Sequence, residues 1–187
     1  YEIPEGNKNS KGRAIQNMLN IDADDAVNAF VRVTTLADKN FIESHNIVFC
    51  TKNGIIKKTS LEQYSRPRTN GIIAITIRED DRVISVALTD GDSDIILANR
   101  GGKAVRFNEN TVRAMGRTAT GVKGMDIADD DEVVGMVVLP KNDDAEHSLL
   151  VLSEQGYGKR SATDDYPTVG RGCKGVKTLQ VTEKTGQ

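Results

Sequence analysis

The chain has 187 residues, of which 37% are hydrophobic and 28% charged, and its formal net charge is −2. This length allows one large domain or two small ones. The composition is that of a globular protein, neither disordered nor fibrous. No apolar run approaches the roughly 20 residues that a transmembrane helix needs. The near-neutral charge argues against a uniformly basic nucleic-acid binder. Two cysteines cannot build a disulfide framework and no signal peptide is visible, so we expect a cytoplasmic protein. Because the chain opens at Tyr1 rather than Met, we expect a piece of a longer protein.

The first recurrent element along the chain is a short apolar run that ends at a glycine. These runs end at Gly54, Gly102 and Gly156, which are 48 and 54 residues apart. A second glycine follows each run, at 71, 121 and 172, and acidic turns at 80–81 and 130–131 lead into further apolar runs. Gly12-Arg13-Ala14 and then Asp24-Asp25-Ala26-Val27 resemble the second half of such a unit. We therefore predict one domain over 1–187, with repeats at 1–40 (partial), 41–92, 93–144 and 145–187 (partial).

Each repeat is predicted to form four strands. The runs are four to seven residues long and rich in Val, Ile and Leu, and no stretch has a convincing helical period. Asn53-Gly54 predicts a two-residue type I′ hairpin turn. A four-stranded unit repeated about every 50 residues is typical of a propeller-like array. The chain has no Trp and no WD dipeptide, so we expect an all-β fold with an aliphatic core.

The charge alternates in step with the repeat. Basic residues outnumber acidic ones in 54–68 (four against one), 100–124 (six against one) and 156–177 (five against two), whereas 78–94 and 126–146 are strongly acidic. Equivalent positions of a radial array lie at equivalent places on the disc, so the basic segments should form one continuous band. A basic band on a neutral protein favours a polyanion as partner.

The residue types in the basic segments suit phosphate binding. Arg66-Pro67-Arg68 places two guanidinium groups on a stiff, extended stretch. Glycines beside Lys123 and Lys174 allow backbone N–H groups to approach phosphate oxygens. Aromatic residues, 4% of the chain, are not interleaved with the basic ones, so we expect binding to a duplex backbone rather than to single strands.

Several stretches resemble the C-terminal domain of the DNA gyrase A subunit. The first runs from Asn53-Gly54 through Tyr64-Ser65-Arg66-Pro67-Arg68-Thr69-Asn70-Gly71, and the others include 88–92, 102–107, 113–124 and 154–160. The opening residues 1–5 are also similar to the family. The family's heptapeptide Q-R-R-G-G-K-G is not intact: 169–175 keeps Arg171, Gly172, Lys174 and Gly175, and 118–124 keeps Gly121, Lys123 and Gly124.

The resemblance implies a β-pinwheel, a propeller-like partial disc whose blades exchange strands. It implies a basic rim that wraps double-stranded DNA and so supports negative supercoiling by the bacterial enzyme. The partners would be DNA, the gyrase B subunit and the rest of the gyrase A subunit. ATP and Mg²⁺ would act on other domains, with no cofactor and no active site here. The expected location is the bacterial cytoplasm at the nucleoid, without membrane contact.

Two alternatives to this function remain open: the matching domain of topoisomerase IV, and a propeller-like scaffold that binds proteins through its acidic turns.

The residues predicted to contact DNA are the basic residues of the repeated segments. The candidate DNA-binding residues are Lys57, Lys58, Arg66, Arg68, Lys103, Arg106, Arg113, Arg117, Lys123, Lys159, Arg160, Arg171 and Lys174.

Other chemistry is weakly indicated. Asp90, Asp92 and Asp94 have the opening spacing of an EF-hand loop, but Ile95 and Gly101 stand where Gly and Glu are needed. His45 and His147 have no cysteine pair nearby, which argues against zinc. We expect Cys50 in the core, Cys173 in an exposed loop, and no catalytic or metal-binding residues.

Overall fold

The computed structural model describes residues 4–19, 21–22, 25–68, 70–141 and 146–186. Within these residues one short α-helix and ten strands follow in chain order, and no helix has the length and apolarity to cross a membrane. The helix α1 is Lys39–Ser44, and the strands are β1 Asn46–Thr51, β2 Ile55–Ser60, β3 Val83–Thr89, β4 Asp94–Asn99, β5 Lys103–Asn108, β6 Val122–Lys123, β7 Val133–Leu139, β8 Ser148–Leu152, β9 Gly158–Ala162 and β10 Val176–Lys177.

The strands form antiparallel sheets that we call blades. The first blade has the order β3-β1-β2-β6, the second β7-β4-β5-β10, and the third consists of β8 and β9. Strand β6 follows β5 in the chain but pairs with β2, and β10 follows β9 but pairs with β5. Each of the two four-stranded blades thus contains a strand from the next repeat. This confirms the all-β pinwheel class and the strand exchange that the resemblance implies.

The three hairpins share one register. The central residue pairs of β1–β2, β4–β5 and β8–β9 match when their residue numbers are shifted by 48 from the first hairpin to the second and by 54 from the second to the third, as the glycine spacing predicts. The equivalent pairs are Val48↔Lys58, Ile96↔Arg106 and Leu150↔Arg160.

The hairpin turn differs from the predicted type I′ form. Asn53 does not have a positive φ, whereas Gly54 does, at 76°. The Gly54 N–H donates to the Thr51 carbonyl at 3.0 Å, so three residues separate the strands and the glycine occupies the left-handed position. The turns at Gly102 and Gly156 have the same bond and the same φ sign.

In the last repeat, the second recurrent glycine is Gly175 and not Gly172, the residue that sequence spacing predicts. A Cβ atom on Gly121 would lie 2.6 Å from the Ile56 carbonyl of β2, and one on Gly175 would meet the Ala104 carbonyl of β5. Ile56 and Ala104 are equivalent, so Gly175 rather than Gly172 corresponds to Gly121. The counterpart of the heptapeptide-like segment 169–175 is consequently 115–121, not 118–124.

Gly175→Ala is expected to lower the free energy of unfolding by about 2–4 kcal/mol, through a left-handed backbone and a clash with the Ala104 carbonyl. Gly175 has a φ of 75°. Gly170→Ala is the matched control, because an added methyl group would meet no atom within 4 Å there and the φ of Gly170 is not positive. Urea unfolding of both variants measures the difference. Equal losses would contradict this account of Gly175.

The N-terminal part is less regular than predicted. No strand occurs among the described residues before β1, and Asp24 lies outside the described residues. The hydrophobic pattern does not reveal the helix α1, because the helix has only six residues. Its main sequence signal is the N-cap, where the Asp38 carboxylate accepts from the Asn40 and Phe41 N–H groups. Val31 and Val33 nevertheless pack on the first blade.

Aliphatic clusters fill the spaces between layers. The main cluster lies between the first and second blades and includes Ile56, Leu97 and Phe107. A second cluster, with Ile96 and Tyr166, joins the second blade to the third. Cys50 is fully buried in the main cluster, and burial with the charge of Asp81 raises its pKa to about 12. The buried Cys50 and the exposed Cys173 confirm both cysteine predictions.

Candidate nucleic-acid interface

Three basic loops occupy equivalent positions, each beginning after a one-turn 3₁₀ helix that follows the second strand of a hairpin. These turns are Leu61–Tyr64, Glu109–Thr111 and Thr163–Asp165. We call residues 65–74, 112–121 and 166–175 the first, second and third loops; Thr69 lies outside the described residues. The second loop crosses β2, where the Met115 N–H donates to the Lys58 carbonyl, and the third crosses β5, where Val169 donates to Arg106.

Hydrogen bonds connect the second and third loops to residues that flank the preceding loop. In the second loop, the Arg117 N–H donates to the Gln63 side chain (3.2 Å), and the Thr118 carbonyl accepts from Thr76 (2.7 Å). In the third loop, the Arg171 guanidinium donates to the carbonyls of Thr111 (3.0 Å) and Lys123 (3.1 Å). The loops are therefore neighbours along one edge of the blades.

The cations brought together here define the basic track. All are exposed except Arg117, which is half-buried. Lys123 also pairs with Asp126 at 2.8 Å, a contact whose hydrogen bond and charge lower the pKa of Asp126. The basic track consists of Arg66, Arg68, Arg113, Arg117, Lys123, Arg171 and Lys174.

An open polar cavity of about 400 Å³ lies where the first and second loops meet. Arg66, Arg68 and Arg117 line it together with Glu62 and Gln63. We call this cavity the arginine notch. Arginine guanidinium groups form charge-assisted hydrogen bonds with phosphate oxygens, so the chemistry of this cavity suits a phosphate diester.

Lys57 does not lie on the surface, contrary to the prediction for a phosphate contact. Its side chain is fully buried, and its Nζ donates to the carbonyls of Ala74 and Arg117, both at 2.5 Å. The ring of Phe49 lies 5.4 Å from the same atom. Burial, followed by the charge of Arg117, lowers the pKa of Lys57 to about 8.

Lys58 is also turned inward. Its Nζ donates to the Glu109 carbonyl at 2.9 Å and lies 3.4 Å from the Glu109 carboxylate. Glu109 is fully buried and also accepts from Thr89, Gly91 and Ser93. Adjacent residues of a strand face opposite sides of a sheet. Both sides of β2 are covered here, so Lys57 and Lys58 are both buried.

Arg106 repeats the arrangement of Lys58 one blade later. Its guanidinium donates to Asp94 at 2.9 Å and to the Thr163 carbonyl at 2.9 Å. Thr163 opens the next 3₁₀ turn, as Glu109 opens the preceding one. Lys58 and Arg106 therefore connect successive repeats, and their charges are used inside the protein rather than offered to DNA.

The remaining predicted cations are exposed but lie off the track. Lys103 is paired in register with Lys177, a basic residue on β10 that the site prediction omitted. Lys159 and Arg160 lie on β9, and the Lys159 ammonium is 3.5 Å from the Thr178 carbonyl. These four cations extend the positive charge toward the second and third blades.

The acidic turns lie at the other side of each sheet, because they lead into the edge strands β3 and β7. The Asp81 carboxylate accepts from the Asn53 N–H at 3.0 Å, and Asp131 accepts from Gly101 at 3.0 Å and Asn99 at 2.6 Å. These carboxylates therefore stabilise the hairpin turns. Asp143 and Asp144, also counted in the acidic segment, lie outside the described residues.

The carboxylates with EF-hand spacing are occupied by protein donors. Asp92 and Asp94 both accept from the Asn108 side-chain amide and both lie within 4 Å of the Lys141 ammonium. The pKa of Asp94 is lowered by its hydrogen bonds and by nearby positive charge, which outweigh its burial. In the part of the chain that the structure describes, no group of His, Cys, Asp and Glu is arranged to hold a metal ion.

The family model described as "DNA gyrase C-terminal domain, beta-propeller" matches residues 1–34, 45–90, 93–140 and 147–186. The DNA gyrase A subunit of Salmonella typhimurium is 41% identical over 186 residues, and that of Staphylococcus aureus strain NCTC 8325 is 42% identical. Both alignments cover the whole chain but only 20% of the relative, so the chain spans about a fifth of these proteins.

Two solved structures resemble the fold. The C-terminal domain of a DNA topoisomerase IV aligns over 89% of this chain and 49% of its own, with a TM-score of 0.77 and 28% identity. A DNA gyrase A C-terminal domain aligns over 95% of this chain and 56% of its own, with a TM-score of 0.78 and 24% identity. The second likeness concerns the fold alone.

Proposed function

The chain belongs to the DNA gyrase C-terminal domain family, and from this premise we propose that it binds duplex DNA along the basic track and bends it. Within the gyrase A subunit, with the B subunit as its partner, this binding would support ATP-dependent negative supercoiling. ATP and Mg²⁺ would be bound by other domains. Such a function places the protein on the bacterial nucleoid.

The contiguity of the three basic loops is the observation that carries the proposal. The loops come from segments about 50 residues apart in the chain, yet hydrogen bonds from Arg117 and Arg171 join each of the later two loops to residues that flank the loop before it. A track of this kind can follow a phosphate backbone, because phosphate contacts position a duplex without reading its sequence. Exposed cations on successive blades would guide the DNA from one blade to the next.

Bending requires many such contacts. Bending 20–30 bp by 40–90° costs on the order of 1–6 kcal/mol, so several phosphate contacts must offset that cost. Each neutralised phosphate releases condensed counterions and steepens the salt dependence of binding. The seven cations of the basic track are therefore expected to produce steep salt dependence and little sequence preference.

Fluorescence anisotropy with a labelled 40-bp linear duplex, titrated at 50 and 200 mM salt, tests the proposal. We expect the affinity to fall at least 100-fold between the two salts and to change little when the sequence is shuffled. A single strand of equal length should bind more weakly. No salt-sensitive duplex binding would contradict the proposal and favour the protein-binding scaffold.

A topoisomerase IV subunit is the second candidate, favoured by the likeness to that enzyme's C-terminal domain. A topoisomerase IV domain would carry a similar basic band but wrap DNA less. A topology assay on relaxed circular DNA, with the complete subunit, its B partner and ATP, separates the two candidates. Negative supercoiling supports the gyrase proposal, and relaxation without supercoiling supports topoisomerase IV.

A further inference from the structure

The buried Lys57 distinguishes the first blade from the second. Its equivalent in β5 is Val105, a core residue, since Phe49↔Lys57 and Leu97↔Val105 are matching register pairs. The fold therefore accepts an aliphatic side chain at this position. A lysine is not required for packing here, and its contacts need another explanation.

The contacts of Lys57 join two repeats. Ala74 belongs to the first loop and Arg117 to the second, and both carbonyls accept from the Lys57 ammonium. The Tyr64 hydroxyl donates to the same Ala74 carbonyl at 3.0 Å. An ammonium group has three donors and can hold two carbonyls at once, which an aliphatic residue cannot do.

Arg117 is consequently fixed on both sides of its backbone. Its N–H donates to Gln63, beside the first loop, and its carbonyl accepts from Lys57. Arg117 also lines the arginine notch, together with Arg66 and Arg68. Glu62 is the one acidic residue among the described residues that line this notch, so the three positive charges are only partly balanced and repel each other, and the backbone contacts of Arg117 oppose that repulsion.

We propose that Lys57 is a positioning residue that holds Arg117 beside Arg66 and Arg68, and thereby forms a binding position for one phosphate of duplex DNA before the DNA arrives. This inference rests on the proposed function and specifies one of its contacts. Lys57 acts from inside the protein and does not touch the DNA. Prior ordering of a binding group reduces the entropy lost on binding.

A double-mutant cycle between Lys57 and Arg117 tests the inference, with affinities for the 40-bp duplex measured over a series of salt concentrations. Lys57→Met and Arg117→Gln should each lower the affinity about 3- to 10-fold and reduce the salt slope by about one. The double variant should lose no more than the weaker-binding single variant, because both changes remove the same contact. Lys159→Met, which removes an exposed lysine with a similar carbonyl contact, is the control and should not couple to Arg117→Gln.

Additive losses for Lys57→Met and Arg117→Gln, or unchanged affinity for Lys57→Met, would overturn the inference. If Lys57→Met does not fold, Lys57→Val repeats the residue type of the second blade. Amide ¹⁵N relaxation of the unmodified chain gives an independent result: without DNA, the Arg117 amide should be as ordered as those of β2. Ordering only after DNA is added would also overturn it.

The outcomes separate this inference from the function on which it rests. A chain that binds the duplex and loses affinity on replacement of Arg66 and Arg68, but not of Lys57, retains the proposed function and contradicts the positioning role. A chain that binds no duplex at any salt contradicts both.

Discussion

Replacing Arg66 and Arg68 together with Glu should lower the affinity for a 40-bp duplex at least tenfold at 100 mM salt and reduce the salt slope by about two. Both side chains are exposed, flank Pro67 and line the arginine notch. The double replacement removes two phosphate contacts and adds two repulsive charges, and each contact contributes about 0.9 to the slope. Anisotropy titrations over a series of salt concentrations measure both quantities.

Arg78→Glu combined with Arg82→Glu is the matched control. It changes the net charge by the same amount, but both residues are exposed in the acidic turn that leads into β3, at the opposite edge of the first blade. We expect a much smaller loss, from long-range repulsion alone, because charges farther than about 10 Å are screened at this salt. Equal losses for the two variants would remove Arg66 and Arg68 from the interface.

Glu109→Ala is expected to lower the free energy of unfolding by about 3–5 kcal/mol, the usual cost of leaving the partner of a buried ion pair uncompensated. Glu109 is fully buried, and Lys58, 6% exposed, would lose its carboxylate partner. The replacement also removes the acceptor of the Gly91 and Ser93 N–H groups. Urea unfolding of the unmodified chain and the variant, fitted with one common m-value, gives the change in the free energy of unfolding.

Glu43→Ala is the control for this substitution, because Glu43 is half-exposed and pairs with Lys39 on the surface of α1. Exposed pairs of this kind contribute about 0.5 kcal/mol or less. Lys58→Met combined with Glu109→Gln should recover much of the loss, since it leaves no unpaired charge and keeps an acceptor for the backbone donors. Equal stability of Glu109→Ala and Glu43→Ala would contradict the account of the buried pair.

The fold class was predictable because its signals are periodic. Apolar runs of strand length recur at 48- and 54-residue spacings, and the register pairs Val48↔Lys58 and Ile96↔Arg106 follow that spacing. The solvent exposure of the loop arginines, such as Arg66 and Arg113, was also predictable, because loops are solvated and their charges need no partner. Their contact with DNA stays a prediction. Strand exchange came from the resemblance and not from the periodicity.

Counting charges along the sequence could not predict that the basic side chains in the strands are buried and paired. Lys57, Lys58 and Arg106 lie in strands that other parts of the chain cover, and their partners are 12 to 60 residues away in sequence. Their position in the strand was a usable signal. Adjacent residues of a strand face opposite sides of the sheet, so a basic pair directly after Ile55-Ile56 has both side chains buried if both sides of the sheet are covered. The equivalence of Gly121 and Gly175 depended on backbone approach to the preceding blade, which sequence spacing alone does not reveal.

The pairing of β6 with β2 also constrains how the chain folds. Ser60 ends β2 and Val122 begins β6, so the first blade is complete only after the chain has closed a loop of about 60 residues that itself contains β3, β4 and β5. Closing such a loop costs entropy before its contacts form, and slow, non-local pairing of this kind follows high contact order. Neighbouring blades should therefore unfold as one cooperative unit, and a cut at a repeat boundary would separate the blade before the cut from the strand that completes it.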